Sequence, residues 1–320
     1  MKEENLIVGY SCNNHCRFCC ERGNFGDSST EEIKQRIDKA AKIGVNRLVF
    51  TGGEPTIRKD IIDLIRYAKE KKSFNEIFMI TNGRMMSYEK FANKIINAGL
   101  THILFSLHAP KAKIHDFLTR SPGAFRQTVK GMKNAVKQGV VVENNTVLTK
   151  YNYKFFPELV DMLLEIGVKY YEAIFVNPVE SIMKESDFVF DNLVPKLSDL
   201  DEPVRKALKK GKKKRVWSTI EAIPFCHLKG VEEHATELYM AEHRIVSGPR
   251  RRLVKDINRS RQVKGKVKPE KCKNCKYFNV CEGVWINYYR IRGDKELTPI
   301  KGKKIENKKE LLVKWKNIKL

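Results

Sequence analysis

The sequence predicts an α/β protein, a mostly parallel sheet wound with helices and followed by a smaller, irregular, cysteine-rich part. Three observations carry this reading. Strand-like and helix-like patterns alternate through the first 180 residues, the alternation dissolves after Pro178, and the eight cysteines fall mainly into two tight clusters. Six strand–helix units fall short of a complete eight-unit barrel, so an open six-strand TIM-like barrel and a doubly wound sheet both fit.

The elements follow in order. Residues 6–10 read as the first strand and run straight into a cysteine loop. Residues 30–43 have the apolar spacing of an amphipathic helix, with Ser29 or Thr30 as cap and Gly44 as stop. Then come strand 47–50, helix 57–71, strand 77–80, helix 88–98, strand 103–106 and helix 124–137. Strand 140–148, helix 155–166 and strand 170–176 complete the series. The organisation expected is a core over 1–180, a linker or insert over 181–222, an auxiliary domain over 223–300 and a basic tail over 301–320.

Composition bounds the function. With 320 residues, 42% of them apolar, the chain can bury a large core. No run approaches the ~18 apolar residues of a membrane span. The apolar stretch ahead of the cysteine loop is too short for a signal-peptide core. Clustered cysteines in a chain this long point to metal binding in a reducing compartment rather than to disulfides, so a cytoplasmic metalloprotein is expected. The net charge of +24 is uneven: +7 lies in the first 180 residues and +17 in the rest. Basic runs at 209–215, 250–252 and 301–319 suit either a nucleic-acid or other polyanionic partner or a lysine-rich solvated surface. No aromatic-interleaved signature accompanies them.

The chemistry-bearing residues are the cysteines. Cys12, Cys16 and Cys19 follow the first strand with C-x3-C-x2-C spacing. Three thiolates on one loop can hold three irons of a [4Fe–4S] cube and leave the fourth open to an exogenous ligand. A structural zinc with His15 as fourth ligand and a set of unligated thiols are the alternatives. Near the other end, Cys272, Cys275 and Cys281 join Cys226 to make four thiolates, enough to close a second [4Fe–4S] cluster or a structural zinc. Cys20 is left over, and His108, His115 and His227 read as structural or surface histidines.

The cysteine loop does not stand alone. Thr51-Gly52-Gly53-Glu54-Pro55 follows strand two, Thr81-Asn82-Gly83 follows strand three, Ser106-Leu107-His108 ends strand four and Asn145 lies in strand five. In this order and placement, over residues 5–176, the sequence resembles the radical S-adenosylmethionine (SAM) superfamily. The resemblance implies a partial barrel and a [4Fe–4S] cluster on Cys12, Cys16 and Cys19 whose open iron is chelated by SAM. It further implies that Gly52, Gly53 and Glu54 receive the methionine amine and that Ser106 and Asn145 contact the SAM carboxylate and ribose. Asn82 would lie near the ligand and Phe18 near the adenine, while Arg58 reads as a solvated helix-start arginine. The C-terminal set resembles the shortened SPASM, or twitch, domain, which implies an auxiliary [4Fe–4S] cluster on Cys226, Cys272, Cys275 and Cys281.

The activity implied is reductive cleavage of SAM to a 5′-deoxyadenosyl radical that abstracts hydrogen from a substrate. The electron donor would be flavodoxin- or ferredoxin-like. The substrate is expected to be a peptide or protein first, then a small molecule or sugar, then RNA. A different class stands beside this: a non-catalytic iron–sulfur or zinc protein binding nucleic acid through its basic surface. In that reading the Gly52–Glu54 motif has no purpose.

Overall fold

The computed structural model describes residues 2–21, 23–178, 188–241, 243–250 and 252–312. The sheet is largely parallel and has nine strands, arranged as a partial barrel that does not close. The first six strands are β1 (Lys2–Ile7), β2 (Arg47–Thr51), β3 (Glu76–Thr81), β4 (His102–Ser106), β5 (Val141–Leu148) and β6 (Tyr170–Phe175). They lie side by side in chain order, each parallel to the next. Helices α1 (Thr30–Lys42), α2 (Ile61–Glu70), α3 (Glu89–Asn97), α4 (Ala112–Thr119), α5 (Ala124–Lys137) and α6 (Phe156–Ile166) fill the crossovers. Such parallel crossovers leave every strand's C-terminal end at the same rim, where the following loops gather.

Two differences from the expected architecture follow from chemistry. The segment expected to be a linker carries α7 (Phe188–Leu193), α8 (Leu197–Lys213) and β7 (Trp217–Glu221). Strand β7 pairs parallel with β6, so this stretch is a further unit of the barrel. At the other edge, β8 (His243–Gly248) pairs parallel with β1 and carries β9 (Arg252–Val254) as an antiparallel edge. The first strand also starts four residues earlier than expected, because Glu3 and Glu4 sit inside it. Glu4 is buried and accepts the Ser247 hydroxyl at 2.5 Å, and Glu3 takes Arg244 at 3.0 Å. Paired acids of this kind can occupy a strand without reading as one.

Burial alternates along β4, β5 and β6 in the direction opposite to a filled barrel. Ile103, Phe105, Val142, Tyr171, Ala173 and Phe175 face the helices and are fully buried. The intervening positions are half-buried and line the interior. The apolar core therefore lies between sheet and helices, and the interior remains available to polar residues. Beyond β9 stand the short helices α9 (Ile257–Ser260) and α10 (Ile286–Arg292), with the two-residue strands β10 (Lys266–Val267) and β11 (Val284–Trp285) paired antiparallel. This region packs into the same core through Val280, Trp285, Tyr288 and Leu297. Two hydrogen bonds fasten it to the end of β6: the Trp285 Nε1–H donates to the Phe175 carbonyl at 3.2 Å, and the Asn287 side chain donates to the Pro178 carbonyl at 2.9 Å. No helix among the described residues is long and apolar enough to cross a membrane. Part of the expected insert (179–187) and of the basic tail (313–320) lies outside the described residues.

Candidate active site

The loop bearing Cys12, Cys16 and Cys19 leaves the C-terminal end of β1 and is fixed on three sides. Asp27 accepts the Tyr10 N–H at 2.9 Å, the Ser11 N–H at 3.2 Å and the Ser11 hydroxyl at 2.8 Å. Burial opposes charge on Asp27, yet these donors outweigh it and hold the carboxyl below its ordinary value. On the far side, the His15 and Arg17 N–H groups donate to the carbonyls of Thr119 and Leu118 at 3.0 and 2.9 Å, at the end of α4. Arg17 also stacks on Phe117, 4.1 Å from the ring centre. Sequence reading overlooked α4, and it is the helix that seats the loop.

The third side is the turn after β2. The Gly53 N–H donates to the Gly9 carbonyl and the Glu54 N–H to the Ser11 carbonyl, both at 2.9 Å. A Cβ at Gly52 would stand 2.2 Å from the Gly9 oxygen, and Gly52 has φ +130°. A Cβ at Gly53 would stand 2.2 Å from the Ser11 oxygen and 2.5 Å from that of Tyr10. The glycines are thus required for the two loops to touch at all.

Glu54 is a buried hub beneath this turn. One oxygen accepts the Thr56 N–H at 3.0 Å, the Thr56 hydroxyl at 2.5 Å and the Thr81 hydroxyl at 2.7 Å; the other accepts the Asn82 N–H at 2.6 Å. Burial raises its pKa against these donors. Four internal donors engage this carboxylate and so join the ends of β2 and β3. From the same corner, the Asn82 side chain donates to Asn13 Oδ1 at 2.7 Å and reaches Cys12 Sγ at 4.0 Å. The Asn14 N–H also points at Cys12 Sγ, at 3.4 Å. Arg84 donates to the Asn13 carbonyl and to Asn14 Oδ1.

Arg58 is not a solvated arginine. It donates to the carbonyls of Val8 at 3.0 Å and Ser28 at 2.9 Å while paired with Asp60 at 2.8 Å. Ser106 and Asn145 are direct cross-strand neighbours on the inner face of β4 and β5. Phe18 packs edge-on against His108, with ring centres 4.7 Å apart. Both His108 and His115 are buried acceptors: His115 Nδ1 takes the His108 N–H at 3.2 Å, and His108 Nδ1 takes the Val147 N–H at 3.3 Å. Burial lowers both pKa values, that of His115 to about 4, so they pack and orient as neutral rings.

The second cysteine set also converges. Cys226, Cys272, Cys275 and Cys281 line one small cavity with Phe225, Tyr277 and Leu297. The Ile300 N–H points at Cys275 Sγ at 3.4 Å and the Gly283 N–H at Cys281 Sγ at 3.3 Å. His227 is structural, bridging Asp201 at 2.8 Å and the Glu296 carbonyl at 3.0 Å. Cys20 is exposed and does not line this cavity.

The residue types suit iron–sulfur chemistry: soft sulfur donors on short loops, with a backbone N–H aimed at each of Cys12, Cys275 and Cys281. Among the described residues no group of three or more His, Cys, Asp or Glu side chains is already gathered closely enough to hold a metal ion. Burial raises the pKa of Cys12, Cys226, Cys272 and Cys281, so a metal bound there would displace protons.

The profile of the Radical SAM superfamily matches residues 6–163. A probable GTP 3',8-cyclase of Saccharolobus solfataricus is 31% identical over 183 residues, covering 56% of this chain and 58% of that protein. An AdoMet-dependent heme synthase of Oleidesulfovibrio alaskensis is 31% identical over 164 residues, 50% of this chain and 42% of that protein. The matches thus span about half of these relatives' own length. In fold, Streptococcus suis SuiB bound to S-adenosylmethionine superposes with a TM-score of 0.64 at 18% identity, covering 94% of this chain and 76% of that one. The same protein bound to its precursor peptide SuiA superposes at 0.62 with 16% identity, over 90% and 72%.

Proposed function

The chain carries a radical SAM domain, and from that premise we propose a two-cluster enzyme that modifies a peptide or protein, fed by a flavodoxin- or ferredoxin-like electron donor in the cytoplasm. In the proposal Cys12, Cys16 and Cys19 hold the first [4Fe–4S] cluster, and Cys226, Cys272, Cys275 and Cys281 hold an auxiliary one. With the first cluster and SAM bound, the chemistry supplied is reductive cleavage of SAM to a 5′-deoxyadenosyl radical that takes a hydrogen atom from substrate.

The chain's own residues do the positioning. Asp27, Arg58, Gly53 and the end of α4 keep the cysteine loop over the barrel rim. Ser106 and Asn145 offer a hydroxyl and an amide on the inner face, suited to the SAM carboxylate and ribose. The Gly52-Gly53-Glu54 turn, packed against the cysteine loop, would receive the methionine amine. Asn82 orients the loop through Asn13, and Phe18 supplies an aromatic face for the adenine. At the auxiliary site all four ligands would be protein thiolates, so a cluster held there would have no open iron and would serve electron transfer and the rigidity of the loops that bear the cysteines.

The observation that carries the reading is the seating of the three-cysteine loop against the Gly52–Gly53 turn, with amide donors at Cys12. The peptide substrate is supported by the breadth of the likeness to SuiB, which takes in the auxiliary region as well as the barrel. A small-molecule substrate is the second reading, favoured by the names of the two curated relatives. The test is anaerobic reconstitution with iron and sulfide, then dithionite and SAM, following 5′-deoxyadenosine by mass spectrometry. About eight irons per chain are expected, with deoxyadenosine that disappears in Cys16→Ala. Zinc in place of iron, with no deoxyadenosine, would overturn the enzyme reading.

A further inference from the structure

Below the row of Ser106 and Asn145, the barrel interior holds a cavity of about 800 Å³ running toward the N-terminal ends of the strands. Its wall comes from inward positions of successive strands, among them Val49, Phe78, Leu104, Glu143, Glu172 and Thr219. Sheet register arranges two rows across it. Glu143 faces Tyr170 and Tyr170 faces Trp217, so one carboxylate and two aromatic rings lie in line. One step higher, Asn145 faces Glu172 and Glu172 faces Thr219. That step puts Glu172 in the same row as Ser106 and Asn145.

Most of the cavity's charges already have partners. Arg47 is bound to Glu76 at 2.5 Å and stands 3.6 Å from Glu3, Arg244 stands 3.0 Å from Glu3, and Glu221 is bound to Arg261. Lys169, Lys214 and Arg215 are exposed at the mouth. Two carboxylates are left. Glu172 accepts only hydroxyls, from Thr236 at 2.7 Å and Thr219 at 3.4 Å. Glu143 has neither a hydrogen bond nor an ion pair among the described residues, although it is largely enclosed. Burial pushes its pKa up to about 7 against the attraction of Arg47, and the same cause raises that of Glu172. Arg47 and Arg244 act on Glu143 and Glu172 only from beyond contact distance, and enclosed acids with no cation in contact are costly; in a chain of net charge +24 an acidic interior is not a by-product of composition.

We infer that this chamber binds an organic cation, an alkylammonium or guanidinium, with Glu143 and Glu172 as counter-charges and Tyr170 and Trp217 as aromatic walls. A carboxylate at the end of a row of two rings suits such a group better than it suits an anion or an alkane. The inference rests on the proposed function in one respect: it takes the cation to be part of the substrate held beneath SAM. Its source is either a lysine or arginine side chain of a peptide or a free amine.

The test is titration calorimetry on the reconstituted enzyme with SAM and three probes: Nα-acetyl-lysine methylamide, its neutral isostere Nα-acetyl-norleucine methylamide, and spermidine. The expected result is binding of the lysine probe or spermidine but not of the norleucine probe. Glu143→Gln, and Glu172→Gln as a second variant, should weaken the cation ~tenfold or more. Preference for the lysine probe assigns the cation to a peptide side chain, and preference for spermidine to a free amine. The inference is overturned if no cation binds, if norleucine binds as tightly as lysine, or if both variants bind like the wild type. Deoxyadenosine measured on the same preparation separates the two ideas. An enzyme that makes it but shows no cation preference loses only this inference; one that selects cations but makes none keeps the chamber and loses the proposed function.

Discussion

Gly53 and Glu54 are adjacent in sequence and act on opposite sides of the same turn. Gly53 lets the cysteine loop come close, because any Cβ there would meet two carbonyl oxygens at 2.2 and 2.5 Å. Glu54 draws the ends of β2 and β3 together from below through four donors. The two duties predict different failures. Gly53→Ala should leave the fold intact by circular dichroism yet displace the loop, so that iron after reconstitution falls to about half, roughly four per chain. A variant that binds the full complement of iron would show that the close approach is unnecessary. Most of this corner was legible as residue types in register along the chain. The internal engagement of Glu54 was not, because a carboxylate reads the same in sequence whether its partner is a ligand or Thr56, Thr81 and Asn82.

At the scale of elements, legibility followed hydrophobic periodicity and failed where the burial is polar. Helix α5 lies where the spacing put it, over Ala124–Lys137, and β2 through β6 differ from expectation by a residue or two at their ends. These elements turn an apolar face to the helices. The strands that were missed or shortened carry charge inside: Glu3 and Glu4 in β1, Glu221 in β7, Arg244 in β8. Their partners lie far away in sequence, so no local pattern announces them. Helix α4 was hidden for another reason, its eight residues being too short for a periodic signal. It matters more than its length suggests, since its last carbonyls hold the cysteine loop. The convergence of Cys226 with Cys272, Cys275 and Cys281 was legible only as arithmetic on cysteines; the turn after β7 is what brings Cys226 to the others.

For the molecule as a whole, the hollow interior gives stability a dependence on pH. Burial pushes the Glu143 carboxyl up to about 7 in the folded protein from an ordinary 4.5, with Arg47 opposing the rise and Glu76 and Glu3 adding to it. Between those values the folded protein holds a proton that the unfolded chain has released. The group's stabilising contribution is therefore complete below the ordinary value and is lost as the pH rises through the folded one. Glu143→Gln removes this dependence. Its stability relative to the wild type should climb between about pH 4.5 and about pH 7, followed by urea denaturation. A constant difference across that range would mean that Glu143 is not enclosed as described.

In the proposed division of labour between the cysteine sets, three thiolates would leave one iron open and four would close the other site. Electron paramagnetic resonance of the reduced, reconstituted protein, with and without SAM, reads this directly. SAM should change the wild-type spectrum, and a Cys12/Cys16/Cys19→Ala variant should retain about four irons whose spectrum SAM leaves unchanged. A wild-type spectrum indifferent to SAM, or a triple variant whose remaining cluster responds to it, would rule this assignment out.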